Sequence, residues 1–365
     1  MKILLAAGVF FPDVGGPAIH VRKIAERLAL EGFKVQVVAY GDNPNNTDLG
    51  FPVLRVSRKQ PKILQWLKYS FAILRHSLNS DILYGFDPTA AGIPPALMAL
   101  FLRKPYILRI GGDPIWEREA EMGRRLMPLS SYYNQKLYKK DNPFLYFIIK
   151  AILKIPRTVV VYNQNFKDFY IKYFDISPEK IMIIKNPAFK RESASLELPS
   201  EPAVLFAGRF VAYKNLEMVV KAFKNVGTGR LVLIGSGPEE HKLHSQGVEI
   251  LKPMPQEKLF EHIKDSAICI GPALSEFNPN FILEALSFGK PVILSRGHGL
   301  SVDLPEEFLF DPLDQKELEN KLRALLEPGN YRKAVEKVGS LALNQSWEDV
   351  TSAHLDIIKT CIKTD

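Results

Sequence analysis

Short apolar runs alternate with helical patterns along almost the whole chain, and this alternation constrains the fold more than any single motif. Lys2–Ala7 (KILLAA) is continuously apolar after one lysine, as a strand buried on both faces requires. A loop runs from Gly8 to Gly16. Pro17 then opens a helix whose apolar positions Ile19, Ile24, Leu28 and Leu30 are spaced for one face, and Gly32 stops it. Residues 33–40 (FKVQVVAY) form the second strand. Such a βαβ opening demands a parallel sheet covered by helices on both faces. Further strands are expected at 81–86, 106–110, 158–162 and 181–184, with a helix over 164–173. Residues 187–202 are poor in apolar side chains and read as a linker. A second strand–helix series starts at 203–207 and continues through 231–234, Val248–Leu251, 267–270, 291–293 and 308–310. Helices are expected at 216–225, around His241 and Leu243, and at 256–264, 314–326, 331–343 and 347–361.

A chain of 365 residues is too long for one ordinary core, so two domains are expected, 1–188 and 189–346. Its apolar fraction of 46% and charged fraction of 24% are those of a soluble globular protein. No run reaches the roughly 18 uncharged apolar residues of a spanning helix. The first residues resemble a signal peptide superficially, but Pro12-Asp13 follows without a small-residue cleavage site, so 2–7 is read as a strand. The two cysteines, Cys269 and Cys361, and seven scattered histidines offer neither a disulfide framework nor metal-ligand spacing. Cytoplasmic localisation is expected, with attachment at the inner face of the membrane. Residues 1–190 carry 28 Lys and Arg against 15 Asp and Glu, a net +13, whereas 191–365 carry a net −5. The basic half is suited to something anionic; nucleic acid, anionic lipid and phosphorylated substrate all fit that charge.

Chemistry concentrates at the ends of the expected strands, where open parallel sheets bind ligands. Gly15 and Gly16 precede the first helix; missing side chains let a ligand approach, although Gly-Gly-Pro alone is an ordinary turn. The pattern is not GxGxxG, so no nicotinamide fingerprint is present. Asp113 follows Gly111-Gly112 directly after a strand and is placed to look into the same crevice, with Trp116, Glu117 and Arg118 just behind it. In the second half, Gly208-Arg209 with Lys214, Gly235-Ser236-Gly237, and the loop bearing Glu276 share one sheet edge. Arg209 supplies a fork and Lys214 a point charge for a diphosphate. Gly235 and Gly237 let the backbone turn close to a base or ribose. Glu284 can accept hydrogen bonds from vicinal ribose hydroxyls, and Glu276 can hold sugar hydroxyls. Asn278 is a good N-cap residue and Pro279 suits the first helical position, so a helix N-terminus faces the anion there. Taken singly, Glu276 and Glu284 read as solvated surface acids; the company they keep argues otherwise.

Two stretches stand apart. Lys62–Leu78 is an amphipathic basic helix with Trp66 and Phe71, read either as packing on the sheet or as lying in a membrane interface. Residues 132–156 are rich in Tyr, Phe and Lys and read either as a helix pair capping the sheet or as a lid facing lipid or acceptor.

The motifs GRFVAYKN at 208–215, IGSGP at 234–238 and the Glu276-to-Glu284 pair followed by EALSFGKPVI resemble those of a family 4 glycosyltransferase. GGPAIH at 15–20, DILYGF at 81–86 and GGDPIWERE at 111–119 extend the likeness to the first half. The resemblance implies an α/β fold of GT-B type, two Rossmann-like domains with parallel sheets facing across a cleft, and a final helix (347–365) packing back on the first domain. It implies a retaining, metal-independent transferase with no cofactor beyond the nucleotide-diphosphate sugar it uses as donor. Arg209 and Lys214 would hold the diphosphate, Glu284 the ribose and Glu276 the donor sugar as a catalytic group, with Gly15 and Gly16 closing over the diphosphate. The acceptor would be a glycan or glycolipid, lipid-linked or anionic, with an anionic membrane surface as partner and no nucleic acid. Two departures stand out. Pro279 lies where many members offer a backbone amide, so Asn278 and Asn280 are expected to compensate. Asp113 follows the strand end where many members carry a histidine and is the second catalytic candidate. An epimerase or phosphorylase of the same architecture, or a non-catalytic sugar-nucleotide-binding protein, would share these motifs; release of free nucleoside diphosphate distinguishes transfer.

Overall fold

The computed structural model describes residues 1–13, 16–42 and 49–363. The chain divides into two compact units: Met1–Pro114 with Asn142–Lys185 and Trp347–Asp365, and Ile115–Asp141 with Asn186–Ser346.

In the first unit, β1 (Lys2–Ala7), β2 (Lys34–Tyr40), β3 (Val53–Val56), β4 (Ile82–Gly85), β5 (Tyr106–Arg109), β6 (Thr158–Val161) and β7 (Ile181–Ile183) form one parallel sheet in the order β3-β2-β1-β4-β5-β6-β7. Ile3, Leu4, Leu5, Ala6 and Ala7 are all fully buried, as expected of a central strand covered on both faces. The order reverses between β1 and β4, which is where such sheets open a crevice at their carboxyl edge. The helix Trp347–Lys363 belongs to this unit: Val350, Leu355, Ile358 and Cys361 share a core with Ile3, Leu5 and Val37. Its His354 Nδ1 lies 2.6 Å from the buried Tyr84 hydroxyl.

In the second unit, β8 (Ala188–Phe189) leads to β9 (Ala203–Arg209), β10 (Arg230–Ser236), β11 (Val248–Leu251), β12 (Ile268–Gly271), β13 (Val292–Ser295) and β14 (Leu309–Phe310). β15 (Asn344–Gln345) pairs antiparallel with β8. The parallel sheet runs β11-β10-β9-β12-β13-β14, so its order reverses between β9 and β12. The helix Leu216–Val226 shows why local sequence sufficed here: Leu216, Val219, Val220, Phe223 and Val226 are buried at helical spacing, and Gly227 ends the helix at φ +71°.

Three expectations are corrected. The helix around His241 and Leu243 is a single 3-10 turn, Glu240–Lys242. Leu243 is the only large apolar residue between Gly237 and Gly247, so there is no face to bury. Residues 132–156 are not a helix pair; Leu129–Asn134, Tyr138–Asp141 and Pro143–Ile152 are three helices, and the chain passes from the second unit to the first after Asp141. Asn278 does not cap a helix; the helix is Asn280–Ser287 and Pro279 occupies the cap position. An N-cap residue has extended backbone, whereas Asn278 takes the left-handed region at φ +66°, which asparagine tolerates. Its carboxamide then meets Ser301, whose backbone N–H donates to Oδ1 at 3.3 Å.

Candidate active site

The reversal between β9 and β12 brings the strongest cluster together. Arg209 is the last residue of β9, Lys214 closes the 3-10 turn Ala212–Lys214, and Glu276 sits in the loop after β12. Lys214 Nζ pairs with Glu276 Oε1, each side chain only 14% exposed. Backbone bonds hold this pair in register. Leu274 N–H donates to Tyr213 O at 2.8 Å, tying the two loops, and Glu276 N–H donates to Gly297 O at 2.9 Å. The ammonium also lies 5.1 Å from the centre of the Tyr213 ring. Burial, then the Glu276 charge, pushes the Tyr213 phenol well above its ordinary value, so it stays a neutral hydroxyl.

A segment from the first half of the sequence completes this cluster, and sequence reasoning missed it. Trp116, on the helix Pro114–Glu121, is fully buried. Its ring lies 5.2 Å from that of Tyr213 and 6.0 Å from that of Phe277, the neighbours in sequence of Lys214 and Glu276. The indole N–H donates to Met127 O at 2.9 Å. Leu129 N–H donates to Ser275 Oγ at 2.9 Å. Glu121 Oε1 lies 2.6 Å from Arg209 Nη2, which also donates to the Tyr213 hydroxyl at 3.3 Å. The available signal was the Trp116-Glu117-Arg118 run behind Gly-Gly-Asp, but an eight-residue helix carries no local information about which sheet it will join.

The remaining candidates are placed as follows. Glu284 lies on the helix Asn280–Ser287 and accepts from Gln256 Nε2 at 2.5 Å. Burial pushes its carboxyl up to about 6, against the opposing effects of Gln256 and Arg191. Asn280 opens that helix and its Oδ1 accepts from Asn186 Nδ2 at 3.0 Å. Gly235 and Gly237 have a packing reason independent of any ligand. A Cβ on Gly235 would lie 1.9 Å from Gly208 O, and one on Gly237 2.3 Å from Phe210 O, so side chains here would force apart the ends of β9 and β10. Lys290 is likewise structural: its buried ammonium donates to Lys264 O at 2.5 Å and Ser266 O at 2.9 Å, closing the C-terminal end of the helix Gln256–Asp265. In the first unit, Gly16 is the first residue of the helix Gly16–Leu30, and Asp113 is fully buried in the loop after β5. Gly15 lies outside the described residues. Among the described residues, no group of three or more His, Cys, Asp or Glu side chains is placed to hold a metal ion.

The cluster can therefore present two cations and a carboxylate at one sheet edge, beside the start of a helix. That is the chemistry for an anion carrying hydroxyl groups.

Two family models match this chain: "Glycosyltransferase Family 4" over residues 14–188 and "Glycosyl transferases group 1" over residues 201–328. Sulfoquinovosyl transferase SQD2 of Arabidopsis thaliana is 28% identical over 170 residues, 42% of this chain; the match spans about a third (32%) of that relative's length. Among solved structures, sucrose-phosphate synthase from Thermosynechococcus elongatus superposes with a TM-score of 0.77 at 21% identity, covering 100% of both chains. HepE of Anabaena, in complex with UDP and glucose, superposes with a TM-score of 0.75 at 14% identity, covering 99% of this chain and 100% of its own. These likenesses show the GT-B architecture. With the two family models spanning both halves, the chain belongs to the family 4 glycosyltransferases.

Proposed function

We propose that this glycosyltransferase takes its sugar from a nucleotide-diphosphate donor and transfers it with retention of configuration to a lipid-linked or anionic glycan acceptor, without a resident metal. The pairing of Lys214 with Glu276 beside Arg209 carries this reading. In it, Arg209 and Lys214 neutralise the leaving diphosphate, Glu276 holds the donor sugar, Glu284 the ribose, and Gly15 and Gly16 approach the phosphates. Asp113 serves the acceptor. The UDP and glucose in the HepE structure support a nucleotide-sugar donor. Release of nucleoside diphosphate from UDP-, GDP- and ADP-sugars, followed by anomer assignment of the product by NMR, tests the reading. Nucleotide binding without product would leave a non-catalytic binding protein, and isomerised donor an epimerase.

Glu284 makes the ribose assignment testable by pH. Its carboxyl titrates at about 6 in the folded protein, above its ordinary value of 4.5. The ionised form is the better acceptor, so nucleotide affinity is expected to fall as pH drops through about 6. Glu284→Gln should bind more weakly and lose that pH step. Folding shows the opposite sign: the native state binds the proton more tightly, so this group's contribution to stability falls as pH rises from 4.5 to about 6. Calorimetric titrations between pH 5 and 8 check the affinity; a flat wild-type profile removes Glu284 from the ribose.

The acceptor proposal draws on the helix Lys62–Leu78. Tyr69, Ala72, Ile73 and Ser77 face the core, whereas Ile63, Leu67, Phe71, Leu74 and Leu78 form a second, exposed apolar stripe at helical spacing. The helix carries Lys62, Lys68 and Arg75 and no acidic residue. Leu100 and Phe101, on the adjacent helix Ile93–Leu102, are also exposed. Among the described residues no helix is long and apolar enough to cross a membrane. An apolar stripe with a basic flank fits the surface of an anionic bilayer, at the cytoplasmic face in this reading. The protein is expected to float with vesicles of phosphatidylcholine and phosphatidylglycerol. Leu67→Asp/Phe71→Asp should weaken that binding more than about tenfold, since each side chain forfeits roughly 1.5–3 kcal/mol of burial. Equal flotation of the variant would remove the stripe as the contact.

A further inference from the structure

The segment Ile115–Asp141 places an acid on the guanidinium assigned to the donor, and this has a consequence for donor affinity. Arg209 can grip a phosphate bidentately through either of two forks, Nη1 with Nη2 or Nε with Nη2. Both forks need Nη2. That nitrogen donates to the Tyr213 hydroxyl at 3.3 Å and is ion-paired with Glu121 Oε1 at 2.6 Å. With the Glu121 carboxylate and the Tyr213 hydroxyl both against Nη2, a diphosphate has to displace one of them to use either fork.

The two partners of Nη2 differ in how readily they let go. Tyr213 is buried and held by Trp116. Glu121 is 35% exposed in its side chain and belongs to the last turn of a short helix, so it can rotate into solvent without moving the segment. The segment itself is anchored by the buried Trp116 and by Leu129 N–H on Ser275 Oγ. Glu121 also bears the charge that a diphosphate repels. Arg209, at 62% exposure, stays solvent-accessible behind it.

Resting on the assignment of Arg209 to the donor diphosphate, we propose that Glu121 is an internal competitor for that diphosphate. It occupies Arg209 in the empty site and yields it when a nucleoside diphosphate or its sugar binds. Donor affinity is thereby set below what the two cations alone would give. When the product diphosphate is released, the carboxylate returns to Nη2. No bond is made or broken; the exchange replaces one anion by another on a single guanidinium.

The test titrates UDP, GDP and ADP separately into the full chain by calorimetry, in wild type, Glu121→Gln, Arg209→Ala and the double variant. Glu121→Gln is expected to bind the preferred diphosphate about two- to fivefold more tightly than wild type, the range set by partly exposed ion pairs. The gain should vanish in the Arg209→Ala background, where there is nothing to compete for. Donor KM should fall by the same factor. Unchanged or weaker binding by Glu121→Gln overturns the proposal and leaves the donor reading standing. A gain that persists without Arg209 also overturns it, since a general reduction in negative charge would then explain the effect. If none of the three diphosphates binds wild type, the donor reading fails and the proposal with it.

Discussion

Replacing Lys214 with alanine is expected to lower turnover by about two to three orders of magnitude, the range for removing one preorganised group that meets developing charge. The same change should destabilise the protein by about 2–3 kcal/mol. A fully buried pair losing one member costs roughly 3–5 kcal/mol, and this pair keeps some exposure, so the figure lies below that range. The cost arises because Glu276 would be left a half-buried carboxylate with its backbone still fixed by Gly297 O and by the Leu274–Tyr213 tie. A double variant separates the two effects. Lys214→Ala/Glu276→Ala removes the stranded charge, so urea denaturation should show most of the stability restored, while nucleoside diphosphate release stays at background. Recovery of turnover with stability would mean that the pair only braces the loops, and the diphosphate assignment would fall.

Trp116→Ala should be the most destabilising single change in the second unit's site region. Deleting a fully buried aromatic costs about 3–5 kcal/mol, because the surroundings close only partly over the cavity. At roughly 2–4 °C per kcal/mol for a domain of this size, thermal unfolding of that unit should move down by about 6–20 °C. Activity measured well below the new transition should still fall at least about tenfold. Tyr213 and Phe277 lose the wall that fixes Lys214 and Glu276, and small misplacement of positioning groups is costly. Trp116→Phe keeps most of the packing but not the N–H bond to Met127 O, so it should recover most of the stability. A Trp116→Ala variant of normal activity at low temperature would confine this residue to a packing role.

Much of the architecture was legible residue by residue. Strands such as Lys2–Ala7 and Val248–Leu251 and the helix Lys62–Leu78 fall where apolar spacing puts them. The ends of β9 and β10 carry Arg209 and Gly235, and the loop bearing Glu276 follows β12, as expected. Where the reading failed, a competing local effect or a missing face explains it. Asn278 looked like a cap, but its backbone takes φ +66° and its Oδ1 accepts from Ser301 N–H instead. The stretch around Leu243 had helix formers but nothing apolar to bury.

Arg209, Lys214, Glu276 and Glu284 could be singled out because each lies within a few residues of a strand end or helix start. Such positions are written in short-range periodicity, turn chemistry and capping. The sequence by itself therefore determined two successive parallel α/β units, the strand edge on which the candidate residues gather, and the types of those residues. Only the tertiary structure decided that Ile115–Asp141 packs with the second unit, that Trp116 walls the Lys214–Glu276 pair, and that Glu121 holds Arg209. A short helix with one buried tryptophan can satisfy its apolar face on many surfaces. Which surface it takes depends on complementary shape and charge some 90 to 160 residues away, and no local pattern encodes that.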